Sequence, residues 1–349
     1  GRKPVRHSPD RPLHIMEVDR QRAVAVAADA FRAHGITDAD AAQTAEVLVS
    51  ADARGKHSHG LLRLPRFVRG IESGNVDPTG SIDVVSETGG AATISGGSRL
   101  GPVVASAAAA EAMDRADEFG VGVVGVHDSN HLGMLGYYTD QLQREGYVGI
   151  AITNTEPAMP PHGGSEPVLG TNPIAIGLPT EPVFNLDMST SAIARGTVLH
   201  KKETSEELPS GVALDADGQP TTDPTAALEG TILPFGGAKG SGLAIAVEVL
   251  AGGLVGAAMG SDVTGTYHTT DPCTKGDLFL AIDPDAMGAS DFSERASDFL
   301  ADLTEREPAA HVDEIRLPGQ RSVERDRSAT AIEVDEELWT EVRELVADE

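Results

Sequence analysis

Cysteine occurs once, as Cys273, so the chain can close no internal disulfide. With no cysteine framework, no signal-peptide layout and no apolar run judged long enough to span a bilayer, a reducing cytoplasm is the expected compartment. Lysine is scarce too, at six residues, and Lys+Arg total 27 against 54 Asp+Glu, a net charge of -27. Such a surface repels phosphate backbones and anionic lipid, so neither nucleic acid nor a membrane is an expected partner, and aromatics at 4% agree. The acidity is spread along the chain, like the carboxylate-rich surfaces of proteins from salt-accumulating cells; an ordinary acidic enzyme is the alternative. A chain of 349 residues predicts one large or two interleaved domains.

Turn signals divide what is present. Residues 1–15 are basic and aperiodic, an expected disordered extension, and Met16 is the first methionine. Asp19 caps a predicted helix to about His34 with Gly35 behind it, and Thr37 caps a second to about Arg54 with Gly55 behind it. Segments 121–126, 147–153, 174–178, 183–186 and 278–282 read as strands; 101–118, 290–305 and a stretch from Glu336 read as helices. Residues 202–225, charged and Gly/Pro-rich, read as a surface excursion. Gly120-Val121-Gly122-Val123-Val124-Gly125 fits G-x-G-x-x-G, but it follows a helix and is itself a strand. The dinucleotide fingerprint must follow a strand and open a helix, so the Rossmann reading is set aside.

Two stretches carry chemistry. Val126-His127-Asp128-Ser129-Asn130-His131-Leu132-Gly133 runs from an apolar strand through polar residues toward a predicted helix over 134–145. His131 then sits at or just before a helix N-terminus, where the dipole favours a neutral imidazole or a bound anion and suits proton transfer. The plainer alternative is that Asp128, Ser129 and Asn130 cap the helix while His131 packs in its first turn. In the second stretch, 56–67, His59 and Arg63 are four apart and would share a helix face, one an acid/base and the other a carboxylate clamp. A solvated helix arginine is the alternative for Arg63. The glycines of 234–242 with Lys239 open a Gly/Ala-rich helix and can cradle a phosphate, although close helix packing explains the glycines equally well.

Taken together and in order, Ser58-His59-Gly60 with Arg63, Asn130-His131, Gly170-Thr171-Asn172-Pro173, Asp187-Met188-Ser189-Thr190-Ser191, residues 235–240 and Pro318-Gly319 resemble the malate/L-lactate dehydrogenase family. This family is unrelated to the classical Rossmann lactate and malate dehydrogenases, and it includes sulfolactate and ureidoglycolate dehydrogenases and cyclic-imine reductases. The resemblance covers roughly residues 16–345. It implies a non-Rossmann α/β fold, NAD or NADP as cofactor, and a homodimer with active sites near the subunit interface. It also implies a helical substrate and dimerisation domain, 16–78 with 300–349, beside an α/β cofactor-binding domain, 79–299. Carried over residue by residue, His131 matches the proton acceptor, and Ser58 with His59 matches the proton-donating pair of the imine-reducing branch. Arg63 matches the substrate-carboxylate arginine, with Thr171, Arg195 and Gly196 on the substrate side. His131, Leu132, Gly133, Met134, Leu135, Thr155, Asp187, Met188, Ser189, Lys239, Pro318, Gly319, Gln320 and Arg321 match cofactor positions. Phe67 stands where several members have tyrosine. Thr197 replaces the aspartate of the imine-reducing relay, which argues against imine reduction.

The implied reaction removes the hydroxyl proton of a small 2-hydroxy acid, of malate or L-lactate type, as the C2 hydride passes to nicotinamide C4. His131 is the preferred base and His59 the second; oxidation of sulfolactate or ureidoglycolate is the alternative within the family. A different class, a metal-dependent hydrolase or aldolase, would draw ligands from His57, His59, His127, Asp128, His131 and His162. No H-E-x-x-H spacing occurs and His-x-His at a helix start turns its rings apart, so no metal site is expected. A non-catalytic binding protein would bind NADH yet oxidise none.

Overall fold

The computed structural model describes residues 14–267 and 271–346. Most of the expected extension, residues 1–13, lies outside them, but Ile15 already opens a strand. The chain begins with β1 (Ile15–Asp19), α1 (Arg20–Ala33), α2 (Asp38–Ala53) and α3 (Leu64–Glu72). It continues through β2 (Asp83–Thr88), β3 (Ala91–Ser95), α4 (Gly101–Phe119), β4 (Val121–His127), α5 (Leu135–Arg144), β5 (Val148–Thr153), β6 (Ile174–Leu178) and β7 (Phe184–Met188). An excursion of α6 (Arg195–Glu203), β8 (Ala213–Leu214), α7 (Pro224–Glu229) and β9 (Thr231–Ile232) precedes α8 (Ala238–Ala251), β10 (Asp277–Ile282) and α9 (Phe292–Thr304). The chain closes with α10 (Gln320–Ser328), β11 (Ala331–Asp335) and α11 (Glu336–Glu344).

Helix starts follow local chemistry. The Asp19 carboxylate accepts the Arg22 N–H and the Thr37 hydroxyl accepts the Asp40 N–H, each satisfying a donor that the helix leaves free. Gly35 and Gly55, at φ of +83° and +76°, turn the chain out of α1 and α2. β1 and β11 pair antiparallel and tie the two ends of the chain together, a contact the sequence reading missed. Val18, Ile332, Val334 and Trp339 there join Ala27, Phe31 and Leu48 of the first two helices in one core.

The main sheet has the order β2-β3-β4-β10-β5-β6-β7 and is parallel only between β3 and β4. Alternate residues of β10 enter opposite faces. Phe279 and Ala281 pack with Ala108, Ala112 and Tyr138 of α4 and α5, while Leu278 packs with Val247, Ala251 and Val255 at α8. The decoy glycines are the end of α4 plus strand β4. Gly122 lies so close to α4 that a Cβ would come within 1.9 Å of the Ala112 carbonyl oxygen, so close strand–helix contact is what requires that glycine.

Two expectations need correction. Residues 202–225 are not simply a surface loop, because Leu208 and Ala213 pack with Val198, Ala227 and Ile232 in a small core of their own. And 238–255 is long and apolar enough, at a mean hydropathy of 1.4, to cross a membrane by length and composition. Some 44% of that stretch is buried within the fold, while Ile245, Val249, Leu250 and Leu254 stay exposed.

Candidate active site

His131 lies in the loop beyond the C-terminal end of β4, an interior strand of the sheet. β4 ends at His127, Asp128 turns the chain at φ +53°, and the Asn130 amide donates to the Ser98 and Arg99 carbonyls. Those bonds use Asn130 to pin the loop, so it does not cap a helix: α5 begins only at Leu135, after a Met134 cap that makes no side-chain bond. His131 therefore precedes the helix by four residues, in irregular chain. Its Nδ1 accepts the backbone N–H of Gly133, at φ +84°, over 3.0 Å. Burial, then the nearby Arg63 guanidinium and His59, hold its pKa well below the ordinary imidazole value, so the ring is neutral.

The helix face expected to carry His59 and Arg63 does not form. Residues 57–59 and 61–63 are separate 3-10 turns split at Gly60, which lies against Asp52 so closely that a Cβ would come within 2.2 Å of the carboxylate. That carboxylate accepts the Leu61 N–H and bonds His57 Nδ1, fixing the kink. The kink turns His59 toward His131, ring centroids 5.7 Å apart, with His59 Nδ1 2.9 Å from Ser58 Oγ. Burial, then Arg63, lowers the His59 pKa to about 4. Gly196 explains the room for this pair, since a Cβ there would come within 3.0 Å of the Ser58 side chain.

Arg63 donates from Nε to the Ser58 carbonyl at 2.7 Å, and no carboxylate among the described residues is within ion-pair distance of it. Burial, then repulsion from Arg66, lowers its pKa to about 9. A desolvated guanidinium without a counter-ion is an anion site. It opens on a cleft lined also by Phe67, Asn75, His131, Thr266 and Tyr267. Tyr267 is stacked between two more guanidinium groups, Arg66 at 4.6 Å and Arg195 at 4.3 Å. The sequence reading missed Arg66 and Tyr267; no motif marks them, and the only signal was a tyrosine in a chain with four.

The remaining expected residues meet from several loops. Thr171 N–H donates to Thr155 Oγ1, and Thr190 donates both N–H and Oγ1–H to the Thr171 carbonyl. Lys56 Nζ bonds Asp187 at 3.3 Å to its carboxylate, and the Asn185 N–H donates to the Pro318 carbonyl. Gly319, at φ +75°, rests on Asn185, where a Cβ would come within 1.9 Å of the carbonyl oxygen. The end of β7, the 318–319 turn and Lys56 are thereby joined. Met188 and Ser189 are half-buried there, with Ser189 Oγ 2.8 Å from Ser191 Oγ. At the start of α8, Gly236 and Gly237 have φ of +57° and +61°, no side chain caps the helix, and Lys239 is exposed without an ion pair among the described residues. A helix N-terminus with a free ammonium fits a phosphate of a dinucleotide.

Other expected positions stand apart. Leu132 and Leu135 place their side chains in the sheet core, and Gln320 and Arg321 engage Glu324 and Glu314 at the surface. The histidines of the metal alternative are divided: His57 bonds Asp52 and His127 bonds Asp128, and no three His, Cys, Asp or Glu side chains gather in ligand geometry among the described residues.

Comparison with known proteins agrees with this arrangement. A sequence model of the malate/L-lactate dehydrogenase family matches residues 18–343. A malate/(S)-sulfolactate dehydrogenase of Methanothermus fervidus is 43% identical over 91% of this chain and 94% of its own length. The ureidoglycolate dehydrogenase (NAD(+)) of Escherichia coli is 33% identical over 87% of this chain and 88% of its own. Among solved structures, the sulfolactate dehydrogenase of Methanocaldococcus jannaschii superposes with a TM-score of 0.91 at 40% identity, covering 95% of this chain and 97% of that one. The non-Rossmann sheet, the paired imidazoles and these matches agree: the chain belongs to the malate/L-lactate dehydrogenase family.

Proposed function

We propose that this dehydrogenase transfers a hydride between NAD or NADP and a small 2-hydroxy acid bearing a second anionic group, of the malate or sulfolactate kind, in preference to lactate. The carrying observation is Arg63, half-buried at the cleft with no carboxylate within ion-pair distance among the described residues, and beside two neutral imidazoles. A bidentate guanidinium holds the substrate carboxylate and fixes which face of C2 is presented. Arg66 and Arg195, on either side of Tyr267, supply positive charge for the distal group, partly balanced by Asp271 at the rim. The M. fervidus relative, named for both malate and sulfolactate, supports that choice. Bound nicotinamide would supply the hydride acceptor at C4. Around it the chain holds the carboxylate on Arg63, keeps water from C2 with Phe67 and Tyr267, and takes the hydroxyl proton on His131 or His59. Lys239 and the start of α8 hold a phosphate.

The working unit in this reading is a homodimer. The exposed Ile245, Val249, Leu250 and Leu254 on and after α8 form an apolar face that a second copy would cover. A carboxylate-rich surface would make that association stronger in molar KCl, where the Debye length falls to about 3 Å.

The test is a panel of oxaloacetate, sulfopyruvate, oxalurate and pyruvate with NADH and NADPH across a KCl series, with sedimentation at each salt concentration. Oxaloacetate or sulfopyruvate should exceed pyruvate in kcat/KM by about tenfold or more, the value of one charge-assisted bond. Equal use of pyruvate would remove the distal-anion role, and no turnover of any 2-oxo acid would sink the reading.

A further inference from the structure

Within the dehydrogenase reading, on which this rests, we infer that Glu248, on the inner face of α8 and outside the catalytic cleft, is a positioning residue: its carboxylate sets the two loops that present Thr155 and Thr171. Glu248, Asn154 and Asn172 are all buried. The carboxylate is met by three neutral donors. Asn154 Nδ2 at 3.0 Å and the Gly260 N–H at 2.9 Å bond Oε1, and Asn172 Nδ2 at 2.6 Å bonds Oε2. A carboxylate away from water is tolerated only where its oxygens are satisfied in this way.

The remaining atoms of both amides are fixed by backbone. Asn172 gives its second hydrogen to the Ala244 carbonyl at 3.0 Å, one turn earlier on α8, and its Oδ1 accepts the Thr155 N–H at 3.2 Å. Asn154 gives its second hydrogen to the Ala258 carbonyl at 2.9 Å, and its Oδ1 accepts the Gly276 N–H at 2.9 Å. A backbone N–H can only donate and a carbonyl can only accept, so neither amide can turn over without losing bonds. Both Nδ2 atoms and the Gly260 N–H therefore need one shared group that only accepts. Glutamate is such a group; a glutamine, however its amide is turned, would set a donor against at least one of them. Asn172 itself holds φ +32°, a conformation that a non-glycine residue keeps only where its surroundings impose it.

From the two asparagines the constraint reaches the cleft in short steps. Thr155, held through its N–H by Asn172, accepts the Thr171 N–H on Oγ1 at 3.0 Å. Gly170 lies so close beneath that a Cβ would come within 2.2 Å of the Thr155 carbonyl oxygen. The next residue, Glu156, donates its N–H to Thr266 Oγ1 at 3.0 Å, and Thr266 lines the cleft with Arg63 and Tyr267. Residues 154–156 and 170–172 belong to no helix or strand, so their place comes from what holds them, and Glu248 ties both to a regular helix.

Hydrogen exchange of the full-length protein, read by mass spectrometry, tests the clamp without turnover. In the wild type, 154–156 and 170–172 should be protected to a similar degree although both are loops. Glu248→Gln should speed exchange in both by about tenfold or more and leave β4 and β10 unchanged. Loops that exchange freely in the wild type, or that stay protected in the variant, overturn the proposal. Kinetics separate positioning from stability. The KM of the folded variant for the best 2-oxo acid of the wild type should rise by about tenfold or more, the value of one charge-assisted bond. An unchanged KM with a lower kcat, the mark of a smaller folded fraction alone, overturns it. If Glu248→Gln does not fold, Glu248→Asp, which keeps the charge but withdraws it by one methylene, should show the same two changes and is judged by the same outcomes. A wild type that turns over no 2-oxo acid overturns the dehydrogenase reading instead, and the exchange result still decides the clamp.

Discussion

Arg54 and Arg63 lie nine residues apart, one closing α2 and the other closing the second 3-10 turn; Arg54 is buried and Arg63 is half-buried at the cleft. Their surroundings differ completely. Arg54 bonds Asp326 at 2.9 Å, Asp140 at 3.0 Å and the Gly136 carbonyl at 3.2 Å, so its charge is matched on two sides. Arg63 has one carbonyl and no carboxylate within ion-pair distance among the described residues; Glu156 acts on its charge only from farther away. The first arginine ties α2 to α5 and α10 and so fixes the helical amino-terminal part against the sheet. The second is held in place by its neighbours while its charge is left for a ligand. A buried cation with its counter-ions inside the fold serves the fold; a half-buried one at a cleft without them serves the site.

The largest effect that can break this comparison is on stability. Arg54→Ala leaves Asp140 and Asp326 buried with part of their compensation gone, and should cost about 3–5 kcal/mol in urea unfolding. Asp326 gives the same result a pH signature. Burial alone would raise its pKa, but the Ser50 hydrogen bond and the Arg54 and Arg20 guanidinium groups bring it below the ordinary carboxylate value. Its contribution is therefore complete above about pH 4 and is lost as the pH falls below that. A variant within 1 kcal/mol of wild type would show that the network is not what joins the two parts.

Nothing in the local sequence separates these two arginines. The starts of α1 and α2, strand β6 and the start of α11 were legible because a cap, a turn residue or alternation within a few positions decides them. Arg54 was read only as a helix end, since Asp140 and Asp326 are 86 and 272 residues away. The 57–63 segment was misread as one helix because the force that breaks it, the Asp52 carboxylate against Gly60, is tertiary. Arg66 and Tyr267 stayed unseen for the same reason: their stacking joins positions about 200 apart. The recognisable motifs named candidate positions such as His59, Arg63 and His131, and the contacts that surround them are long-range.

A smaller effect, and one confined to the site, sharpens the other half of the comparison. Arg63→Lys should raise the KM for a 2-oxo acid by about 10–100-fold, because an ammonium cannot reproduce the paired bonds of a guanidinium to a carboxylate. The KM for NADH and the urea midpoint should stay close to wild type, since no carboxylate inside the fold loses its partner. Equal rises in both KM values, or a stability loss like that of Arg54→Ala, would make Arg63 a structural residue.

The smallest expected effect is in the pH dependence of stability. His59 is pushed down to about 4 from an ordinary 6.5, first by burial and then by the same unpaired Arg63, with Lys56 adding to it and Asp187 opposing. Between those values the unfolded chain takes a proton that the folded chain refuses, so stability should fall as the pH drops from about 6.5 toward 4. Above 6.5 both states carry the neutral ring and His59 contributes no slope. The shift depends on the charge of Arg63, so Arg63→Met should raise the His59 pKa and make this part of the stability curve shallower, and His59→Gln should remove the His59 share and leave that of His131. Thermal or urea unfolding of the three proteins at half-unit steps from pH 4 to 7 gives the comparison. An unchanged slope in Arg63→Met would mean that burial alone holds His59 neutral and that the Arg63 charge is already compensated.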